Sequence, residues 1–129
     1  MPGREEIPDE VRRFVQTAVP SVPYAEALLL FLAAHGGELE TLAVARRLYI
    51  TEPAAAALVE ELRAAGVVSP GSSPGTHVFA PRDGEHERLL RLTARYYTTH
   101  LIDVTELIHS ATARHARRFA DAFKFRKEP

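Results

Sequence analysis

Apolar residues recur at helical spacing along most of the chain, interrupted by two short extended runs. Ile7, Val11, Phe14, Val15 and Ala18 fall on one side of a helix and predict an amphipathic element over residues 7–18. Pro8 suits its first turn. Pro20 and Pro23 then predict a hinge. Tyr24 to Ala34 is apolar nearly all round, as a helix at the centre of a small bundle should be. Gly36 and Gly37 mark its end. Leu39 to Leu48 predicts a second helix, with Leu39, Leu42, Ala43 and Leu48 facing inward. Tyr49 and Ile50 form the turn after it. Thr51 is a natural N-cap for a third helix, and Pro53 sits where a missing N–H costs nothing. That helix is predicted to run to Ala65 and close at Gly66, burying Ala55, Leu58, Val59 and Leu62.

Two strands are predicted next, at Val67-Val68 and His77-Val78-Phe79, around the turn-rich Gly71-Ser72-Ser73-Pro74-Gly75. Asp83 can cap a long helix reaching about Ser110. Leu90, Ala94, Tyr97, Leu101, Val104, Ile108 and Ala111 recur along it at alternating steps of four and three, an a/d seam of about three heptads. A second stripe, Leu89, Leu92 and Tyr96, lies beside the first. The seam packs either on the domain's own core or on a second copy. Leu90, Tyr97, Leu101, Val104 and Ile108 are read as a dimer seam, because a small domain has little use for so long a helix. Ala116, Phe119, Ala120 and Phe123 continue the helical spacing into the last segment.

Helix, helix, helix, strand, loop, strand is the order of a winged helix-turn-helix. The expected fold is therefore mostly α with a small β-wing, extended by a long C-terminal dimerisation helix. Residues 1–20 would form an N-terminal helix, 21–82 the winged helix-turn-helix domain, and 83–129 the long helix with a basic amphipathic tail. Ala45-Arg46-Arg47-Leu48-Tyr49-Ile50-Thr51, followed by Leu58 to Val68 with its Leu62-Arg63-Ala64-Ala65-Gly66-Val67-Val68 ending, resembles the winged helix-turn-helix superfamily and MarR-like transcriptional regulators in particular. The closing segment from Arg117 to Lys127 is similar to tails of small, poorly characterised bacterial winged-helix proteins. The resemblance implies a dimeric transcription factor that places its third helix in the major groove and its wing near the minor groove. Three positions depart from the pattern. Tyr49 stands where Gly is usual, Ala56 and Ala57 stand where polar base-reading residues are usual, and the wing tip carries no Arg or Lys.

Composition narrows the chemistry. The chain has 129 residues, 46% hydrophobic and 26% charged, which suits one ordinary globular domain. It has no cysteine, so disulfides, thiolate metal sites and a cysteine nucleophile are excluded. No apolar run approaches the roughly 20 residues that span a bilayer, and the charged N-terminus has no signal-peptide core, so a cytoplasmic protein is expected. A net charge of −1 conceals a gradient. From Ser21 to Pro81 only Arg46, Arg47 and Arg63 are basic, against Glu26, Glu38, Glu40, Glu52, Glu60 and Glu61, whereas cations concentrate at the C-terminus. A nucleic-acid binder usually carries its excess cations on the reading module.

The candidate contacts follow from that distribution. On the third helix, Ala56 and Ala57 can touch a thymine methyl or a protein partner but cannot donate to a base edge. Arg63 can, although it lies at the far end from the residues that normally reach bases. Arg46 and Arg47 suit a phosphate or the dipole at a helix C-terminus. His77 could touch a phosphate or serve as a plain strand residue. The other histidines, His35, His86, His100, His109 and His115, show no zinc spacing, and no metal or cofactor is expected. No nucleophile elbow or phosphate-binding loop is present, so an enzyme is not expected. In the tail, Arg117, Arg118, Lys124 and Arg126 alternate with Phe119 and Phe123. The phenylalanines would dock on the body, or the segment would meet a partner, a nucleic-acid backbone or an anionic membrane. The expected function is that of a homodimeric winged-helix DNA-binding regulator whose DNA contacts are weak and electrostatic. The alternative is a winged helix that serves as a protein-interaction module without reading DNA sequence.

Overall fold

The computed structural model describes residues 6–127, with side chains throughout except at His115, Ala116, Phe119 and positions 121–127. Helix α1 spans Asp9–Ala18. It starts two residues later than the periodicity predicts, because Pro8 occupies the N-cap position; Ile7 is buried ahead of the helix. Asp9 and Glu10 in the first turn complement the helix dipole. Helix α2, Val22–Ala33, begins earlier than predicted. Ser21 caps it by accepting from the Tyr24 N–H at 3.2 Å, and Pro23 lies in its first turn rather than in a hinge. Tyr24, Ala25, Ala27, Leu28 and Phe31 are buried along it.

Leu39 does not open the next helix. Leu39–Glu40 is a short strand, β1, and helix α3 covers Thr41–Leu48. The inward residues of α3 are Val44 and Ala45; Leu42 is 38% exposed, and Leu39, Ala43 and Leu48 are only partly covered. Helix α4, Glu52–Ala64, buries Ala55, Leu58, Val59 and Leu62, the predicted stripe. Gly66 follows at φ 73°, a left-handed position that an L side chain rarely adopts. There a Cβ would also press to 2.7 Å from the Arg82 side chain.

Strands β2, Val68–Pro70, and β3, Thr76–Phe79, form the wing. The sheet has three antiparallel strands in the order β1-β3-β2, with Leu39 opposite His77 and Val68 opposite Phe79. The first strand thus fastens the start of the helix-turn-helix to the wing.

The predicted long helix is two. Helix α5 runs Gly84–Thr99, capped by Asp83, whose carboxylate accepts from the His86 N–H at 2.8 Å. Helix α6 runs Leu101–Lys127. His100 leaves helical geometry at φ −133°, ψ 52°, while its N–H still donates to Tyr96 O and its carbonyl accepts from Val104 N–H. The chain can therefore bend there with little loss of backbone hydrogen bonding.

This bend redirects the seam. Leu90, Tyr97, Val104 and Ile108 are buried within the chain itself, in one core with Val11, Val15, Leu28, Phe31, Val44 and Leu62. Only Leu101 of the five seam residues is exposed, at 51%, and its neighbour Ile102 is 70% exposed. Helix α1 packs against both α5 and α6 and receives much of the apolar surface that the heptad pattern offered to a partner. Arg88 braces this packing by gripping Glu10 of α1 and Glu85 of its own helix, each through two hydrogen bonds. Further along, the Thr112 hydroxyl lies 3.2 Å from Pro20 O and 3.0 Å from Ile108 O. The docking expected of Phe119 and Phe123 falls outside the described side chains, as do Lys124 and Arg126; Arg117 and Arg118 are exposed.

Candidate nucleic-acid interface

The helix-turn-helix is built from the end of α3 and the start of α4. After Leu48 the chain must reverse quickly, and Tyr49 does this in the left-handed region at φ 57°, ψ 44°. The Tyr49 N–H donates to Arg46 O at 3.4 Å and the Ile50 N–H to Ala45 O at 3.0 Å, which closes the helix end in a Schellman-like pattern. Such positions favour Gly, since a Cβ there crowds the backbone. Tyr49 is nevertheless an aromatic residue with 95% of its surface exposed. Two residues on, the Thr51 hydroxyl caps α4 by accepting from the Ala54 N–H at 3.2 Å.

Around this turn the cations differ in their engagement. Arg46 and Arg47 are exposed on the last turn of α3 and make no ion pair or side-chain hydrogen bond among the described residues. Arg63, by contrast, is bound to Glu60 one turn back, with Nε 2.8 Å from Oε2 and a second contact to Oε1. The pairing holds Glu60 below its usual pKa and raises Arg63 above its own, chiefly through these hydrogen bonds. Two of the five Arg63 N–H donors are thereby committed to Glu60, and its charge is largely offset. The rest of the free face of α4 consists of Glu52, Pro53, Ala54, Ala56, Ala57, Glu61 and Ala64, all exposed. Its small side chains permit close approach of another surface, but none can donate to a base edge.

His77 is half-buried on β3, and its Nε2 lies 3.1 Å from the Thr41 hydroxyl at the start of α3. It ties the wing sheet to the helix-turn-helix. Across the wing turn, Glu38 occupies a cradle that the periodicity gave no reason to expect. Its carboxylate accepts from the Ser72 hydroxyl at 2.6 Å, the Ser72 N–H at 2.8 Å and the Ser73 N–H at 3.4 Å. The Thr76 hydroxyl lies 2.8 Å from the same carboxylate and 2.6 Å from Ser73 O, so its single proton serves one of the two at a time. The Ser72 hydroxyl first, then the Ser72 N–H and Thr76, hold the Glu38 carboxyl down at about 2. Gly71 makes room: a Cβ there would fall 2.3 Å from the Thr76 hydroxyl and 2.7 Å from the carboxylate.

The exposed turn, helix and wing lie on one scaffold, and that scaffold is matched by a solved structure. A MarR family transcriptional regulator from Streptomyces coelicolor superposes with a TM-score of 0.55, over 91% of this chain and 80% of that one, at 21% identity. This chain has the MarR-like winged-helix fold. No family model matches it, and no curated protein sequence does. Within the winged helix, Arg46, Arg47, Ala56, Ala57 and Arg63 are brought to the surface of the helix-turn-helix, while His77 is drawn into packing between wing and α3. Sequence reasoning missed two participants. Tyr49 was recognisable only as an unusual turn residue, and Glu38 becomes a wing residue only through the pairing of distant strands. Among the described residues no group of three or more His, Asp or Glu side chains is placed to hold a metal. No single described helix is long and apolar enough to cross a membrane.

Proposed function

We propose that this protein is a homodimeric, non-catalytic winged-helix regulator of the cytoplasm that engages duplex DNA mainly through the phosphate backbone. The observation that carries the reading is the state of the cations. Among the described residues Arg46 and Arg47 stand unpaired at the helix-turn-helix corner, whereas Arg63 on α4 is held by Glu60. A surface with free cations at the turn and alanines along the helix suits phosphates better than base edges, and phosphate contacts position a protein without conveying sequence. The likeness to a transcriptional regulator supports the same reading by analogy of fold. Residues 21–82 would act as the contacting module and 83–129 as the arm that pairs copies, through the exposed Leu101 and Ile102 at the α5–α6 bend. Arg117 and Arg118 are exposed further along that arm and would add to the electrostatic attraction.

A second reading rests on the acidic and small residues of α4. Glu52, Glu60 and Glu61 would repel phosphates, and Ala54, Ala56 and Ala57 would admit a partner protein. Binding to random-sequence duplex as a function of salt separates the two. Arg46 and Arg47 on each protomer of a dimer predict a contribution of about −3.6 to the slope of log K against log salt. Substituting Arg46 and Arg47 by Ala should remove that contribution. Absence of duplex binding at low salt would refute the DNA reading and leave the protein-interaction one.

A further inference from the structure

We infer that the wing carries a phosphate-binding cradle, formed by the N–H groups of Ser72 and Ser73 with the hydroxyls of Ser72 and Thr76, and that Glu38 plugs it from within the same chain. Donors converge on one anion here from two sides of the turn, and the anion comes from the linker between α2 and β1, 34 residues away from Ser72. A carboxylate and a phosphate offer the same recognition chemistry, anionic oxygens facing successive N–H groups, and such backbone nests bind either. The site is exposed: Glu38, Ser72 and Ser73 all lie at the surface. An external phosphate can therefore reach the donors once the carboxylate swings away. The absence of Arg and Lys from the wing tip takes on a different meaning in this light. The wing has an anion site, and its own glutamate holds it closed.

The ligand class is a phosphate group; the duplex backbone as its source rests on the DNA reading above. Replacing Glu38 by Ala should open the cradle, and Glu38→Gln should leave a neutral side chain of equal size that phosphate displaces far more easily than a carboxylate. Inorganic phosphate is titrated into the full chain at constant ionic strength, with the Ser72 and Ser73 amide resonances as the readout. Saturable shifts of both amides are expected in E38A, weaker ones in E38Q and none in the native protein. If the turn loses its fold in E38A, the titration of E38Q decides. Shifts of equal size in the native protein, or none in a folded E38Q, would overturn the inference. A parallel salt titration with random duplex tests the source. E38A should bind several-fold tighter with the slope little changed, because neutral N–H and O–H donors do not neutralise a phosphate as Lys or Arg does. Amides that bind inorganic phosphate while duplex binding stays unchanged would uphold the cradle and count against the DNA reading.

Discussion

Replacing Tyr49 by Gly should make the protein more stable. The native residue sits at φ 57°, ψ 44°, where a side chain with a Cβ costs about 1–2 kcal/mol. Removing the ring sacrifices little in return, since 95% of Tyr49 is exposed. Glycine offsets part of the gain through its larger entropy in the unfolded chain, about 0.5–1 kcal/mol. The balance favours Y49G by roughly 0.5–1 kcal/mol. With about 2.1 cal/mol/K of unfolding entropy per residue, that corresponds to a rise in Tm of about 2–4 °C. Scanning calorimetry and urea unfolding should agree, with the midpoint raised and the m-value unchanged. Asn, which tolerates the left-handed region, should give a smaller rise. If Y49G melts below the native protein, the ring has a structural partner and the reasoning fails. A stabilised variant that also binds duplex more weakly would show why a costly residue stays at this corner, since strain tends to gather where a contact is made.

Four further outcomes are expected. Phe31, fully buried on α2, should cost about 3–5 kcal/mol when changed to Ala, seen as a large drop in the denaturation midpoint. Burial, assisted by the nearby Arg82, lowers the pKa of His86, whose Nδ1 accepts from the Arg82 N–H at 3.1 Å; the unfolded chain then binds the extra proton more readily, so stability should be full above about pH 6.5 and fall as pH drops below it. A separate loss should begin below about 4.5 as Glu38 approaches its folded value of about 2, and a Tm series in H86Q and E38Q should remove the first and second steps respectively. Finally, Leu101→Lys with Ile102→Lys should convert a dimer to monomers by sedimentation while leaving the helical circular dichroism unchanged, because both side chains are exposed on the protomer, and should remove any dependence of Tm on protein concentration; a native protein already monomeric at tens of micromolar would refute the pairing role.

The parts of the fold legible in the sequence were those with local punctuation. Thr51, Pro53 and Gly66 bracket α4 with a cap, a first-turn proline and a left-handed stop, and the stripe from Ala55 to Leu62 then has one solution. Strand β1 had no such marks. It is two residues long and exists because Leu39 pairs with His77, a contact that no local window contains. The bend at His100 is equally silent, since neither Pro nor Gly signals it. For the seam, periodicity identified apolar residues correctly but could not say what they face. A heptad stripe has the same spacing whether it meets a second copy or α1 of its own chain. The candidate interface was legible as a set of residue types at the helix-turn-helix. Which of its cations are free, and which anion closes the wing, depends on contacts such as Arg63 with Glu60 and Glu38 with Ser72 that only the folded chain creates.

The packing of α1 against α6 also sets an order of events during synthesis. Val11 and Val15 are made well before Leu101 and are fully buried, yet part of the cover of their helix comes from one that begins at Leu101. At about 5–20 residues per second, roughly 5–20 s separate their synthesis from that of α6. The contacts among α2, α3, α4 and the wing span shorter stretches and can form in the meantime, because closing short loops costs less entropy. The nascent chain thus passes through a stage in which its helix-turn-helix is assembled while α1 still awaits α6. A chaperone that recognises apolar helices would find its substrate in α1 during that interval, and the arrival of α6 would end it.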